Sequence, residues 1–340
     1  MIRSIAAVAA AVLVAASVSG AKEVPPEPIE TGMPGPHFGA VSSGPFSPAG
    51  IAKRLRPLAP DAPRWARRLY RRSARILAAL ADPRSGALIA GERIGWDHVW
   101  PRDAAAGAIA LHAAGLRPEA RRVAAYLSGL DLGAAARFDP DTEPVPGRPE
   151  AGDATGWVAR ARGATGLGET RAGEWGDRQD YGENVTGEWL GNAIAGDAPA
   201  TEVESRFLGP RGLTREAGGD QLDSSAAWAV TVFPRPGLRE AVRRTLLALT
   251  AESSRYGIPP IEGWTPGEVW TAPTAWSAWA LVRLGERRAA SRLLGELRRA
   301  QTPHGTLPER VDARTGAPTS TTPLAWSHAF AILALRARYG

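Results

Sequence analysis

Apolar residues recur at helical spacing along most of this chain, and strand-like alternation is rare. The clearest case opens near Pro63. Trp65, Leu69, Ile76 and Leu80 fall on one stripe, and Arg67, Arg68, Arg71, Arg72 and Arg75 fill the remaining surface. Asp82-Pro83 ends that helix, because the residue before a proline is pushed out of the helical region. The same reading predicts helices over about 103–114, 118–129, 186–196, 222–232, 237–251, 274–284, 287–300 and 324–338. Residues 130 to 185 break the pattern; rich in Gly, Asp and Pro, they read as long loops of functional type.

The helices repeat. At an offset of 170 residues, Val99-Trp100 matches Val269-Trp270, and Gly115, Arg117, Ala120, Arg122 and Leu127 match Gly285, Arg287, Ala290, Arg292 and Leu297. Each copy reads as a polar loop, a helix, a Gly turn and an amphipathic helix. Repeated hairpins must bury their apolar faces against one another. An open stack gives a solenoid and a closed one gives a toroid. Two matched copies leave that choice open.

The chain has 340 residues, 44% of them hydrophobic, which suffices for one large core. Arg3, the apolar run Ile5 to Val18 and the small residues Ser19-Gly-Ala21 read as a secretory signal peptide over 1–21, with a single anchoring helix as the alternative. Residues 22–60, rich in Pro and Gly, read as an extended leader or linker, which sets the folded domain at 61–340. No membrane contact is expected beyond the signal segment, and the chain is expected to act as a monomer. With no cysteine, the sequence excludes disulfides, thiol catalysis and cysteine–metal sites. The net charge of +6 could suggest nucleic acid, but it is carried almost wholly by arginines at helical spacing. Those read as solvated helix faces, so no nucleic-acid partner is expected.

The polar loops carry the candidate chemistry. Trp96-Asp-His-Val-Trp-Pro-Arg-Asp103 precedes one predicted helix, and Gly305-Thr-Leu-Pro-Glu-Arg-Val-Asp312 followed by Pro323-Leu-Ala-Trp-Ser-His328 precedes another. Gly218-Gly-Asp-Gln-Leu-Asp-Ser-Ser225 and Gly263-Trp-Thr-Pro-Gly-Glu-Val-Trp-Thr-Ala-Pro273 hold similar places. Trp96, Trp100, Trp175, Trp264 and Trp270 lie in or beside these loops, where indole faces could stack on sugar rings; packing in the core is the plainer role for any one of them. Asp103 could simply cap the helix that follows it. Asp223 could cap its helix or face a cavity, and Glu262 and Glu268 are further polar candidates. His37, His98, His112, His304 and His328 show no metal-ligand spacing, and His328 reads as a support for Trp326 and the Glu309 loop. No Gly-rich phosphate loop, G-x-S-x-G turn or Asp-Asp-x-x-Asp cluster is present, which argues against nucleotide, serine-hydrolase and isoprenoid-diphosphate chemistry. No cofactor or metal is expected.

From about Gly86 to Arg338 the chain resembles glycoside hydrolase family 15, the glucoamylase and glucodextranase family. The likeness rests on Trp100-Pro-Arg-Asp103 and on Leu307-Pro-Glu-Arg-Val-Asp312 with its downstream Trp-Ser-His. It implies an all-α (α/α)6 toroid, with the third hairpin irregular because residues 130–185 fit poorly. It also implies an inverting, exo-acting glycosidase that releases a terminal sugar from α-glucosidic oligo- or polysaccharides. Arg102 and Asp103 would then bind sugar hydroxyls, and Trp96, Trp100, Trp175, Trp270 and Arg310 would line the substrate site. Glu309 would be the general base. Arg310 replaces the family's usual Gln, and a neighbouring guanidinium favours an ionised carboxylate. The family's Trp-Glu acid motif is not matched, since Gly176 follows Trp175. A one-residue insertion would seat Asp177 as the acid, with Glu174 and Glu183 as alternatives. A sugar-binding protein on the same fold, without efficient hydrolysis, is the competing reading.

Overall fold

The computed structural model describes residues 46–148, 151–168, 189–264 and 267–340. Eleven α-helices follow in order among these residues: α1 (Pro48–Arg54), α2 (Arg64–Ala79), α3 (Pro101–Ala113), α4 (Arg117–Leu127), α5 (Ala154–Thr165), α6 (Leu190–Ala195), α7 (Ala200–Phe207), α8 (Arg239–Ala251), α9 (Thr271–Leu284), α10 (Arg287–Arg299) and α11 (Ala325–Tyr339). A 3-10 helix over Ser224–Val230 stands between α7 and α8. Two short antiparallel strands, β1 (Glu268–Trp270) and β2 (Arg310–Asp312), pair Trp270 with Arg310.

The chain closes into a helical toroid. Going round the inner ring, α3 packs on α5, α5 on α6, α6 on the 3-10 helix, the 3-10 helix on α9, α9 on α11, and α11 back on α3. Among the described residues, α2, α4, α7, α8 and α10 form the outer layer. The 170-residue repeat is two of these hairpins, α3–α4 and α9–α10, with helix starts at matching positions. Residues 169–188, within the stretch expected to be irregular, lie outside the described residues, and α6 after them is only six residues long.

Inner and outer helices are written differently. The outer helix α2 alternates arginine with a buried stripe of Leu69, Ile76 and Leu77, so one face is in the core and one in water. The inner helix α3 has no such stripe: Ala104, Ala105, Ala106, Ala108 and Ala110 are all buried because neighbours surround it. The 130–185 stretch, expected as loops, contains the inner helix α5, whose Ala-Thr-Gly-Trp-Val-Ala-Arg-Ala run gives no amphipathic signal. Small residues let these helices approach closely: a Cβ on Gly156 of α5 would lie 2.0 Å from the Ala195 carbonyl oxygen at the end of α6.

Aromatic rings close the axis of the ring. Trp157 of α5 meets Trp228 of the 3-10 helix at 5.1 Å and Phe330 of α11 at 6.1 Å, and Trp228 meets Trp326 of α11 at 6.1 Å. Each pair joins inner helices that are not neighbours in the ring, so the rings fill its centre. Burying such a ring removes roughly 150–250 Å² from water and contributes on the order of 4–6 kcal/mol before entropy costs.

The expected domain boundary at residue 61 falls inside packed structure. Ile51 and Leu58 are buried. Arg54 of α1 pairs with the buried Glu119 of α4. Arg56 N–H donates to the Ala114 carbonyl at 2.8 Å, and Ala59 N–H to the Tyr339 carbonyl at 2.7 Å. The Pro/Gly-rich composition hid this because the segment docks through single apolar residues and backbone bonds. Among the described residues no helix is long and apolar enough to cross a membrane.

Candidate active site

The loops leading into the inner helices meet at one mouth of the toroid. Trp100, Trp189, Asp223, Trp270 and Leu324 each stand in extended conformation immediately before an inner helix; Asp153, before α5, is helical. This geometry turns the chain sharply from loop to helix and leaves the adjoining side chains beside one another.

Arg102 lies in the first turn of α3 and is only 5% exposed. Its Nη1 donates to Asp153 Oδ2 at 3.1 Å, and its guanidinium sits 4.7 Å from the Trp326 ring and 5.9 Å from the Trp189 ring. Stacking on aromatic faces suits a guanidinium, which is more weakly hydrated than an ammonium. Asp103 is also buried, but it is the third residue of α3; the helix-preceding residue is Trp100, and no side chain caps this end. The capping role considered for Asp103 is therefore not the one it takes, although its charge still suits the positive end of the helix. Trp100 is flanked by Arg137 and Arg148 at 5.7 and 5.2 Å. Burial and then the Arg148 charge push the Arg137 guanidinium below its usual range. Trp96 carries Arg93 over its ring at 5.4 Å. The Trp96 loop abuts the segment before α11: a Cβ on Gly91 would lie 2.7 Å from Thr321 Oγ1 and 3.4 Å from Trp96 Cβ.

Asp223 caps. One oxygen accepts from Ser225 N–H at 2.7 Å, and the other from Trp189 Nε1 at 2.7 Å. Burial raises its carboxyl above the usual range, and these hydrogen bonds oppose that shift.

Glu309 stands immediately before β2, between two anchors. Its N–H donates to the Thr321 carbonyl at 2.9 Å, and its own carbonyl accepts from Thr271 N–H at the start of α9 at 3.1 Å. Its side chain is 13% exposed; Ser320 Oγ donates to its carboxylate, and Arg310 Nε lies 3.6 Å away. Arg310 in turn donates to Glu268 at 2.8 Å and covers Trp270 at 5.7 Å, while Trp264 meets Trp270 edge-on at 6.0 Å. Glu268 and Glu262 are thus engaged in ion pairs, Glu262 with Arg211 at 2.6 Å.

His328 holds the loop from beneath. It is fully buried, its Nε2 accepts from Leu307 N–H at 3.0 Å, and its Nδ1 meets Ser73 Oγ at 2.9 Å. Accepting at Nε2 requires the neutral ring, and burial, helped by the Arg72 charge, lowers its pKa to about 3.

Consecutive residues of α11 join the two halves of the mouth. Trp326 carries Arg102, and Ser327 Oγ bonds Thr271 Oγ1 at 2.7 Å and reaches the Pro308 carbonyl at 3.4 Å, next to Glu309. Of the residues expected from sequence, the structure groups Glu309, Arg310 and Trp270 directly and sets Arg102 in the adjoining cage, with Asp103 buried next to it in the chain. Trp175 and Asp177, with the alternatives Glu174 and Glu183, lie outside the described residues. Sequence reasoning missed Asp153, Trp189 and Ser320. An Asp before a run of small residues is a helix-start signal and could have exposed Asp153; nothing in the sequence marks Ser320. Among the described residues no cluster of three His, Cys, Asp or Glu side chains could hold a metal ion.

A closed ring of helical hairpins with polar loops gathered at one mouth is the fold of the six-hairpin glycosidases of glucoamylase type. A glycosidase in complex with glucose matches with a TM-score of 0.66 at 17% identity, over 79% of this chain and 96% of that one. A bacterial glucoamylase complexed with acarbose matches with a TM-score of 0.63 at 17% identity, over 79% of this chain and 55% of that one. In sequence, a trehalase from Mycolicibacterium smegmatis is 29% identical over 181 residues, 51% of this chain and 25% of the trehalase. The chain thus matches only about a quarter of that relative's length. No family model matches the chain.

Proposed function

We propose that the protein is an exported glycoside hydrolase that cleaves α-glucosidic bonds from the chain end, with inversion, releasing a terminal sugar. The observation that carries this reading is the placement of Glu309. One carboxylate is fixed at the mouth of a closed toroid, hydrogen-bonded by Ser320, beside a guanidinium and next to Trp270. A carboxylate held this way can take a proton from water as that water attacks the sugar. Arg102 and Asp103 would grip hydroxyls of the terminal sugar. The aromatic floor of Trp157, Trp228 and Trp326 supports end-on attack, because a plugged ring accepts a chain end and does not thread a chain. Asp177 would protonate the leaving oxygen, and inversion requires it to stand roughly 6.5–9.5 Å from Glu309.

Residues 1–21 would direct export, and the protein would act as a monomer on oligo- or polysaccharide. The glucose and acarbose complexes of the structural neighbours and the trehalase relative support α-glucosides as the substrate class. The second reading, a sugar-binding protein without turnover, is favoured by one observation: Gly176 follows Trp175 where the acid motif has Glu.

Proton NMR of the protein with maltooligosaccharides, isomaltooligosaccharides and trehalose separates the two. Early appearance of β-glucose supports the inverting hydrolase and identifies the linkage. Shifted ligand signals without release support the binding protein. The α anomer appearing first would overturn inversion.

A further inference from the structure

Glu309 is held at two ends. Ser320 and Arg310 meet its carboxylate. Its backbone end is met by Thr271, the first residue of α9. The Thr271 N–H donates to the Glu309 carbonyl at 3.1 Å, and the Thr271 hydroxyl donates to the Pro308 carbonyl. A first-turn N–H has no acceptor inside its own helix, so α9 can give this one to a neighbouring segment. The two carbonyls belong to the two rigid peptide planes that flank the Glu309 Cα. Rotation of the first plane is φ of Glu309 and rotation of the second is ψ, the only soft backbone angles there. The opposite edge of the first plane donates to the Thr321 carbonyl at 2.9 Å, so that plane is clamped at both edges. Among the described residues no backbone N–H reaches the buried Pro308 carbonyl. Hydroxyls satisfy it: that of Thr271 and, at 3.4 Å, that of Ser327. The two hydroxyls also bond each other at 2.7 Å. A hydroxyl carries one proton, so with the Thr271 proton on Pro308, Ser327 is the donor to Thr271. Both residues are fully buried, so they act on a substrate only through what they hold.

We propose that Thr271 is the positioning residue of Glu309. Its hydroxyl and its N–H clamp both peptide planes around Glu309 and so aim the carboxylate, while Ser327 orients the hydroxyl. The task of the carboxylate rests on the glycosidase reading; the clamp does not. The lever is long. The carboxyl carbon lies three bonds beyond Cα, so a turn of about 15° at Cα carries it by up to roughly 1 Å. Misplacing a reacting group by about 1 Å can lower a rate on the order of 10²-fold.

Thr271→Val keeps the shape and the N–H and removes the hydroxyl. Thr271→Ser keeps the hydroxyl and removes only the methyl. Thermal unfolding shows which variants fold, and kcat and KM are measured on the α-glucoside that the wild type cleaves best. In protein labelled with carbon-13 at glutamate, the Glu309 Cα and Cβ signals, identified by their loss in Glu309→Gln, report its φ and ψ. The expected result for Thr271→Val is a folded protein with kcat lowered at least about tenfold, KM changed less than about threefold, and the Glu309 signals displaced. Thr271→Ser returns kcat to within about threefold of wild type and restores the signals. A Thr271→Val protein with wild-type kcat, or with unmoved Glu309 signals, overturns the proposal and leaves Thr271 a packing residue. Failure of Thr271→Ser to rescue overturns it as well, because the methyl then carries the effect. If Thr271→Val does not fold, Ser327→Ala decides: kcat at least about threefold lower with displaced Glu309 signals supports the clamp, and wild-type values overturn it. If the wild type cleaves no sugar, or Glu309→Gln cleaves as fast, the reading of Glu309 as the base fails. The carbon signals alone then decide: displacement in Thr271→Val that Thr271→Ser restores supports the clamp, and no displacement overturns it.

Discussion

Asp153 and Asp223 hold the same position before two inner helices, and both are buried, yet they are used in opposite ways. Asp223 gives both oxygens to the scaffold, one to the Ser225 N–H and one to the Trp189 indole. The Asp153 side chain caps no N–H among the described residues and accepts from Arg102. The same residue type at the same place in a repeated fold therefore caps a helix at one hairpin and joins a buried ion pair at another. In this toroid the helices repeat, and the loops that lead into them decide the chemistry.

The largest effect should come from breaking the Asp153 pair. Asp153→Ala removes the acid of a buried ion pair and should cost about 3–5 kcal/mol in urea unfolding. Adding Arg102→Leu should recover most of that loss, since an apolar pair replaces the ionic one. No recovery would mean that Asp153 matters for α5 itself. Asp223→Ala removes a cap and orphans a buried indole N–H, which together should cost about 2–4 kcal/mol, and Arg102→Leu should not repair it. Equal repair of both variants would erase the distinction between the two aspartates.

His328 adds a pH dependence to the Glu309 side of the mouth. Its folded-state pKa is depressed to about 3, below the ordinary value of 6.5. The stability it contributes is full above pH 6.5 and is lost as the pH falls from there toward 3, where the unfolded chain takes up a proton that the folded chain refuses. The loss has a limiting slope of about 1.4 kcal/mol per pH unit. Chemical denaturation between pH 7 and 4 should show that slope shrink in His328→Gln. An unchanged slope would assign the acid sensitivity to other groups.

The smallest effect sharpens the repeat. Gly115 and Gly285 turn the two matched hairpins with the same φ of +86°, but only Gly115 is crowded, with Arg54 O at 3.1 Å and Arg56 Cβ at 3.2 Å from an added Cβ. Both alanine variants should lose about 1 kcal/mol to the left-handed backbone. Gly115→Ala should lose more, because the α1 segment must shift as well. Equal melting temperatures would show that α1 gives way freely.

The sequence was most legible where helices face water. The stripes of α2, α8 and α10 and the glycine turns after α3 and α9 carry local signals, and their boundaries fall within a few residues of those expected. It was least legible where every face is buried. Helix α5 has no period to read, because a helix surrounded by protein needs small residues more than an apolar stripe. Ring closure was equally hidden, since it depends on α11 meeting α3 across most of the chain. At the candidate site, Arg102, Glu309 and Trp270 stand out as candidates through motif and loop position. Ser320 does not, because its meaning lies in which carboxylate it reaches. The choice between capping and ligand roles for Asp103 and Asp223 also needed geometry. Asp103 sits inside the helix, and Asp223 sits at its start.

The central claim is that Glu309 activates water at the mouth of a glycosidase toroid. The most direct test is the initial rate of sugar release by wild type and Glu309→Gln, measured on whichever α-glucoside the wild type cleaves, with unfolding curves recorded alongside. The account predicts a rate at least about 10²-fold lower in the variant, as loss of a general base entails, with its melting temperature retained. Equal rates in two equally stable proteins would remove Glu309 from the mechanism.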